Sequence, residues 1–271
     1  MAEPAPLRGA WTGYWQIAAM WVHASMAYPL SFWLLTLGGF VIGGLDFVGI
    51  WILFHSIDAM GGFSLTEVGF LYGATGLGLA LADMYVGRIE RLGQMIRMGT
   101  LDTMMVKPIP LLAQVCSNEF ALRRLARVFL CVLVFAWASL YVDWTALRVV
   151  VAAVMIVSGA LIFFSVFIML ACIQFWTADA VEVANAFTYG GNTVTQYPLA
   201  IFPSEVVKGL TFLMPLAFVN WYPALFILDR EDPFGFPEWF QFLSPVVAVV
   251  MVTLTTFVWR FGVRHYRSTG S

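Results

Sequence analysis

An all-α, polytopic membrane protein is the fold class this sequence predicts, and three observations carry it. Of the 271 residues, 61% are hydrophobic and only 11% charged, against about a quarter charged in an ordinary soluble domain. Mean hydropathy is +0.85, and 24 Phe, 13 Met and 11 Trp are more apolar surface than a soluble fold of this length can enclose. The charges are also parted by long gaps: none occurs from Gly9 to Leu45, Val149 to Ala178, Gly209 to Leu228 or Trp239 to Trp259. Each gap supplies the roughly 20 apolar residues of a membrane-crossing helix. The gaps are continuously apolar, whereas a membrane barrel requires alternation.

The elements follow in order. Over 11–27, Trp11, Tyr14, Trp15, Ala18 and Val22 recur at helical spacing while Thr12, Gln16 and His23 share the other face. This predicts an amphipathic helix lying in the interface, where Trp and Tyr are favoured. Pro29 then opens a first span over about 30–56, followed by spans at 66–87, 125–142 and 149–176, and a last one at 240–260. The stretch between is punctuated by Pro198, Pro203, Pro215 and Pro223. Irregular backbone at membrane depth is tolerated only where protein or a water-filled cavity covers it. Two layouts are open: 207–228 is a plain fifth span, or 183–200 crosses and 204–228 dips in and returns as a re-entrant hairpin. Both give six crossings in a single membrane domain, 1–271, whose longest non-membrane segment is about 88–124.

Basic residues set the orientation. Arg88, Arg91, Arg97, Lys107, Arg123, Arg124 and Arg127 lie between the second and third spans, Arg260, Arg264 and Arg267 follow the last, and Arg8 precedes the first. These eleven of the 14 Lys and Arg residues fall on one side, which the positive-inside rule makes cytoplasmic, with both termini inside. The N-terminus does not read as a secretory signal, because Glu3 precedes Arg8 and Thr12, Gly13 and Gln16 interrupt the apolar stretch.

Several chemistries find no residues. No basic run points to nucleic acid. Cys116, Cys131 and Cys172 form no CxxC pair and read as packing residues. The two lysines, Lys107 before Pro108 and Lys208 before Gly209, fit no phosphate-cradling P-loop. His23, His55 and His265 are scattered, and Gly62-Phe-Ser-Leu-Thr66 lacks the second glycine of a nucleophile elbow. No enzyme, resident cofactor or metal is expected in this chain.

What remains is polar chemistry inside the spans and one unusual connection. Asp46 and Asp83 fall inside the first and second spans without an obvious basic partner, and an ionised carboxylate there is costly. They read either as lining a translocation cavity or, for Asp83, as an interfacial residue solvated or paired with Arg88. Gly38, Gly39, Gly43 and Gly44 on the first span, and Gly73, Gly76 and Gly78 on the second, make smooth faces for helix packing. In the connection, Met98-Gly-Thr-Leu-Asp-Thr-Met-Met-Val-Lys-Pro-Ile-Pro110 mixes apolar and charged residues and ends at two prolines. A short helix stopped by a rigid turn reads as a docking device on the cytoplasmic side, or as a helix lying on lipid.

The segment Gly99-x-Leu101-Asp102-x-x-x-x-Lys107-Pro108-x-Pro110 resembles the cytoplasmic signature of permeases of the type-2 ABC exporter superfamily, in the branch described only as ABC transport system permease components. Ala186-Phe-Thr-Tyr-Gly-Gly, Gln196-Tyr-Pro-Leu-Ala-Ile-Phe-Pro203, Pro215-Leu-Ala-Phe-Val-Asn-Trp-Tyr-Pro-Ala224 and the ending Arg260-Phe-Gly-Val-Arg-His-Tyr-Arg-Ser-Thr-Gly-Ser271 are similar to the same branch, and the likeness runs from about residue 15 onward. The resemblance implies six membrane helices, an N-terminal elbow helix and the re-entrant layout, with Tyr197, Pro198, Pro203, Pro215, Asn220 and Pro223 in that region. It implies a separate cytoplasmic ATPase, in two copies and carrying the ATP and Mg, and a second permease that is a related but different chain. Arg91, Arg97, Asp102, Lys107, Pro108 and Pro110 are then the coupling residues, in a plasma-membrane exporter of small or amphipathic molecules. The rivals are a proton-coupled secondary transporter working through Asp46 and a membrane scaffold or channel without ATP dependence.

Overall fold

The computed structural model describes residues 7–86, 88–118, 124–177 and 181–266, with side chains from Trp11 onward apart from Val183. Arg123, residues 119–123 of the 88–124 connection, and Arg267 to Ser271 of the C-terminal motif lie outside the described residues, as does the side chain of Arg8. Among the described residues the chain is helical, with one isolated β-bridge, Met60 to Phe63.

Helix α1 (Leu7–Met26) starts one turn before the amphipathic stretch expected at 11–27. Tyr28 ends it, and Pro29 at the first position of α2 (Pro29–Leu53) sits where its missing N–H costs nothing. A turn through Gly61 and Gly62, with φ of +57° and +86°, leads to α3 (Leu65–Val86). Ser64 and Glu67 form a reciprocal start to α3: the Ser64 N–H donates to Glu67 Oε2 at 2.8 Å and the Ser64 hydroxyl at 2.9 Å. The serine of the failed nucleophile motif is therefore a helix cap. Arg230 grips the same carboxylate with both arms, Nε at 2.7 Å and NH2 at 3.0 Å, and lies over the Phe63 ring. That hydrogen-bonded carboxylate raises the arginine's pKa.

The basic-end connection holds three short helices, α4 (Leu92–Arg97), α5 (Thr100–Met105) and α6 (Leu111–Ser117). Helix α7 (Leu125–Ser139) is shorter than the 125–142 span expected, because Leu140 to Val142 close as turns and the Trp144 indole donates to the Ser139 carbonyl at 2.8 Å. Helix α8 (Ala146–Cys172), capped by Thr145, runs on as a tighter turn to Phe175. Helix α9 (Val181–Thr195) stops before Pro198, so the 183–200 segment is helical for only part of its length.

Residues 207–228 are not one straight span. Helix α10 (Ser204–Lys208) passes into a wider turn ending at Leu213, and beyond Pro215 a short turn and α11 (Trp221–Ile227) leave at 84°. Pro215 supplies no N–H to continue the first leg, while Pro223 sits in the first turn of α11, where none is needed. The two legs are tied by Thr211 Oγ1 and the Tyr222 hydroxyl, 2.8 Å apart. Helix α12 (Ser244–His265) follows, its Ser244 hydroxyl donating to the Phe218 carbonyl at 2.7 Å.

Among the described residues four helices are long and apolar enough to cross a membrane: α2, α3, α8 with its extension, and α12. Counting the bent pair as one span gives five; α7 is apolar but shorter. Helix α3 is the central one, packed on α7 and α8, and α8 carries α12. A Cβ on Gly73 would sit 2.7 Å from the Phe135 backbone, and one on Gly78 3.4 Å from Gly159. The second-span glycines therefore admit neighbouring backbones as expected. The first-span glycines behave differently: Gly43 meets Leu130, but Gly38, Gly39 and Gly44 meet nothing within 4 Å. Almost all of α2 is exposed on this chain.

Candidate functional site

The connection between α3 and α7 is built on an apolar floor. Ile89, Leu92, Met95, Ile96, Leu101, Met104 and Val115 are buried, while Met98, Met105, Val106, Lys107 and Pro108 face outward. Gly99, with φ of +65°, breaks α4 from α5 where a side chain would be strained. The outcome is a knob whose tip, Val106, is 85% exposed.

Three side chains brace this knob. Gln114 of α6 is buried and its Nε2 donates to the carbonyls of Met104, at 2.9 Å, and Ile109, at 2.7 Å, closing the proline turn. Gln174, at the end of α8 and 1% exposed, accepts from the Gly93 N–H at 2.7 Å and donates to the Glu90 carbonyl at 2.8 Å. Tyr266, just past α12, donates its hydroxyl to Asp102 Oδ1 at 2.9 Å. The knob thus hangs from the ends of two spans.

Of the expected coupling residues, Arg91, Arg97, Lys107 and Pro108 are exposed and Asp102 and Pro110 half-buried. Asp102 is turned onto Tyr266, and Pro110 lines an apolar cavity of about 830 Å³ with Trp11 and Tyr14 of α1. Tyr14 donates to the Tyr85 carbonyl at 3.0 Å, fastening α1 to the end of α3.

The two intramembrane acids do not come together. Asp46 is exposed on α2. Asp83 is buried and does have a basic partner, contrary to expectation: Arg124 Nε lies 3.2 Å from its Oδ2, and Arg124 NH1 donates to its backbone carbonyl. Tyr189 of α9 donates toward Asp83 Oδ1 at 3.5 Å and Glu90 Oε2 at 3.2 Å. This partner, Arg124, stands immediately before α7, 41 residues on from Asp83.

Of the residues expected in the re-entrant region, Asn220 reaches the end of α9. Asn220, buried at the start of α11, donates its Nδ2 to the Thr195 carbonyl at 2.8 Å and more weakly to Leu71 at 3.4 Å. Thr75 of α3 donates to the same Thr195 carbonyl at 3.1 Å. A helix end with no intrahelical donor is satisfied from two other elements. Pro198 and Pro223 are buried, Tyr197 and Pro215 half-buried, and Pro203 exposed.

Gln114, Gln174, Tyr189 and Tyr266 were not singled out from the sequence. Neutral Gln and Tyr carry no pattern that distinguishes a brace from a surface residue; Tyr189 and Tyr266 stand inside the motifs Ala186–Gly191 and Arg260–Ser271, but nothing in those motifs marks them as braces.

The described residues form a bundle of apolar helices with an outward-facing knob on one connection. Residues 40–270 match the family model described as ABC-2 family transporter protein, and the chain belongs to that family. Family membership makes it the permease part of an ABC transporter rather than the ATPase, and implies an ABC ATPase as its partner. No curated protein and no solved structure matches the chain.

Proposed function

We propose that this chain is the permease of an ATP-driven exporter of small or amphipathic molecules in the plasma membrane. The connection between α3 and α7 faces the cytoplasm, both termini with it, and a separate ATPase present in two copies, which carries ATP and Mg, docks on it. The crossings number six: α2, α3, α7, α8, α9 and α12, with α10 and α11 forming the re-entrant hairpin and α1 an elbow in the interface. A second, related permease covers α2, whose exposed apolar surface and Asp46 favour another protein over lipid.

The observation that carries this reading is the bracing of the knob. Its tip offers Met98, Met105 and Val106 to a partner, an apolar patch ringed by Arg97 and Lys107. Its root is bonded to the ends of α8 and α12 through Gln174 and Tyr266. A push on the tip reaches the spans through these hydrogen bonds and packed side chains. A helix merely resting on lipid has no use for buried glutamine braces.

The test is capture of the ATPase. Val106→Asp, fully exposed and so harmless to folding, puts a charge in the apolar patch. The variant should reach the membrane at wild-type level but lose co-purification of its ATPase and the ATPase stimulation the permease provides. Undiminished capture with Val106→Asp would remove the knob as the docking element.

A further inference from the structure

A second cavity, about 510 Å³, opens between α2, α3, α7 and α9 at the basic end of the bundle. One wall is apolar: Leu34, Leu35 and Ile42 of α2, with Gly38 and Gly39 leaving a hollow between them. The other wall carries Asp83, Arg124, Arg127 and Tyr189. Asp83 and Arg124 neutralise each other at 3.2 Å, and Tyr189 is spent on Asp83 and Glu90. Arg127 lies within electrostatic reach of Asp83 but has no direct bond to it among the described residues, so the lining presents two guanidiniums and one carboxylate to a hydrocarbon groove. A cavity of this size, apolar along one side with a few convergent polar groups, has the form of a small-ligand site. The exposed Arg127 guanidinium beside an apolar hollow asks for an anion at one end and hydrocarbon at the other.

We propose that this cavity binds an anionic amphiphile, its head on the Arg127 guanidinium and its chain along the Gly38–Gly39 hollow of α2. A guanidinium suits a phosphate or carboxylate head because its planar fork gives two parallel hydrogen bonds. The hollow suits a flexible chain because nothing from this protein fills it, whereas one turn further Gly43 is closed by Leu130. The site is distinct from the larger apolar cavity beside α1, whose lining includes no charged side chain.

The experiment uses the purified full-length permease in phosphatidylcholine nanodiscs, with no nucleotide, so its result is separate from that of the ATPase partnership. Photoactivatable phosphatidylglycerol is added and crosslinks to 34–42 and 124–127 are read by mass spectrometry, against photoactivatable phosphatidylcholine. Anionic labelling should exceed neutral labelling, and Arg127→Gln should cut it about tenfold, the size of one hydrogen bond to a charged group. Gly39→Leu should cut it comparably by filling the hollow; a Cβ there meets nothing, so the helix tolerates the change. Inorganic phosphate at equal concentration should not displace the label, and dodecyl phosphate separates the two sources of the amphiphile. Displacement by dodecyl phosphate assigns the site to a free amphiphile, and persistence of the anionic label against it assigns the site to a bilayer lipid; either supports the proposal. Equal labelling by the neutral lipid, or loss with Arg127→Gln but not with Gly39→Leu, would overturn it and leave Arg127 a surface anchor.

Discussion

Gln174→Met is the sharpest probe of how the connection is held. Methionine keeps the length and volume of the side chain but removes both polar ends, leaving the Gly93 N–H and the Glu90 carbonyl without the partners now at 2.7 and 2.8 Å. Each such bond is worth about 1 kcal/mol net, and a buried N–H stripped of its partner costs about 1–3 kcal/mol. The attachment of α4 to α8 therefore weakens by about 2–4 kcal/mol. Burial of Leu92, Met95 and Ile96 keeps α4 in place most of the time. At the lower figure the detached population rises about 30-fold. Hydrogen–deuterium exchange on the full-length protein in nanodiscs reads this directly: amides over 89–97 should exchange about 30-fold faster, while those of α7 keep their wild-type rate. In the assembled transporter, ATP hydrolysis should continue while transport per ATP falls. Protection over 89–97 within about threefold of wild type would refute the reasoning, because the glutamine would then carry less than about 0.7 kcal/mol.

Two further outcomes are expected. Tyr266→Phe removes only the hydroxyl on Asp102, keeping the ring against Phe175 at 6.2 Å. It should weaken ATPase capture about threefold to tenfold, the effect of about 1 kcal/mol, and Asp102→Asn, which still accepts that bond, should cost less. For topology, Val106→Cys should react with an impermeant maleimide only from the cytoplasmic side and Glu231→Cys only from the other; the reverse pattern would invert the orientation proposed here. The native background is low because all three cysteines are buried, and burial pushes the Cys116 thiol up to about 12, far from the reactive thiolate.

Much of the architecture was legible because the bilayer imposes a length rule. The charge-free gaps located α2, α8 and α12 to within a few residues, and proline spacing flagged the break at Pro215. The ends were less legible: α7 stops at Ser139, where the Trp144 indole five residues on caps its last carbonyl, a local contact with no sequence pattern. The glycine face of α2 looked like packing, yet three of its four glycines face open space, since periodicity says which residues share a face and nothing about what lies opposite. The segment 98–110 stands out in the sequence through its prolines and charges. Its braces were missed because hydrogen-bonding glutamines look alike whether buried or solvated. Asp83 shows the same limit: its partner Arg124, just before α7, is near in space and far along the chain.

The unequal lengths of neighbouring helices carry a consequence for the surrounding bilayer. At 1.5 Å per residue, the 15 residues of α7 reach about 22 Å and the 25 of α2 about 37 Å, on either side of a hydrocarbon core near 30 Å. On the six-crossing layout proposed above, lipid beside α7 thins, while α2, covered by the second permease, takes up its extra length by tilting, each at a fraction of a kcal/mol per Å. The two helices touch, so the step in thickness falls along the seam that holds the Arg127 cavity. Acyl-chain length in the host membrane therefore acts as a mechanical load on that seam, and shorter-chain lipids relieve it on the α7 side.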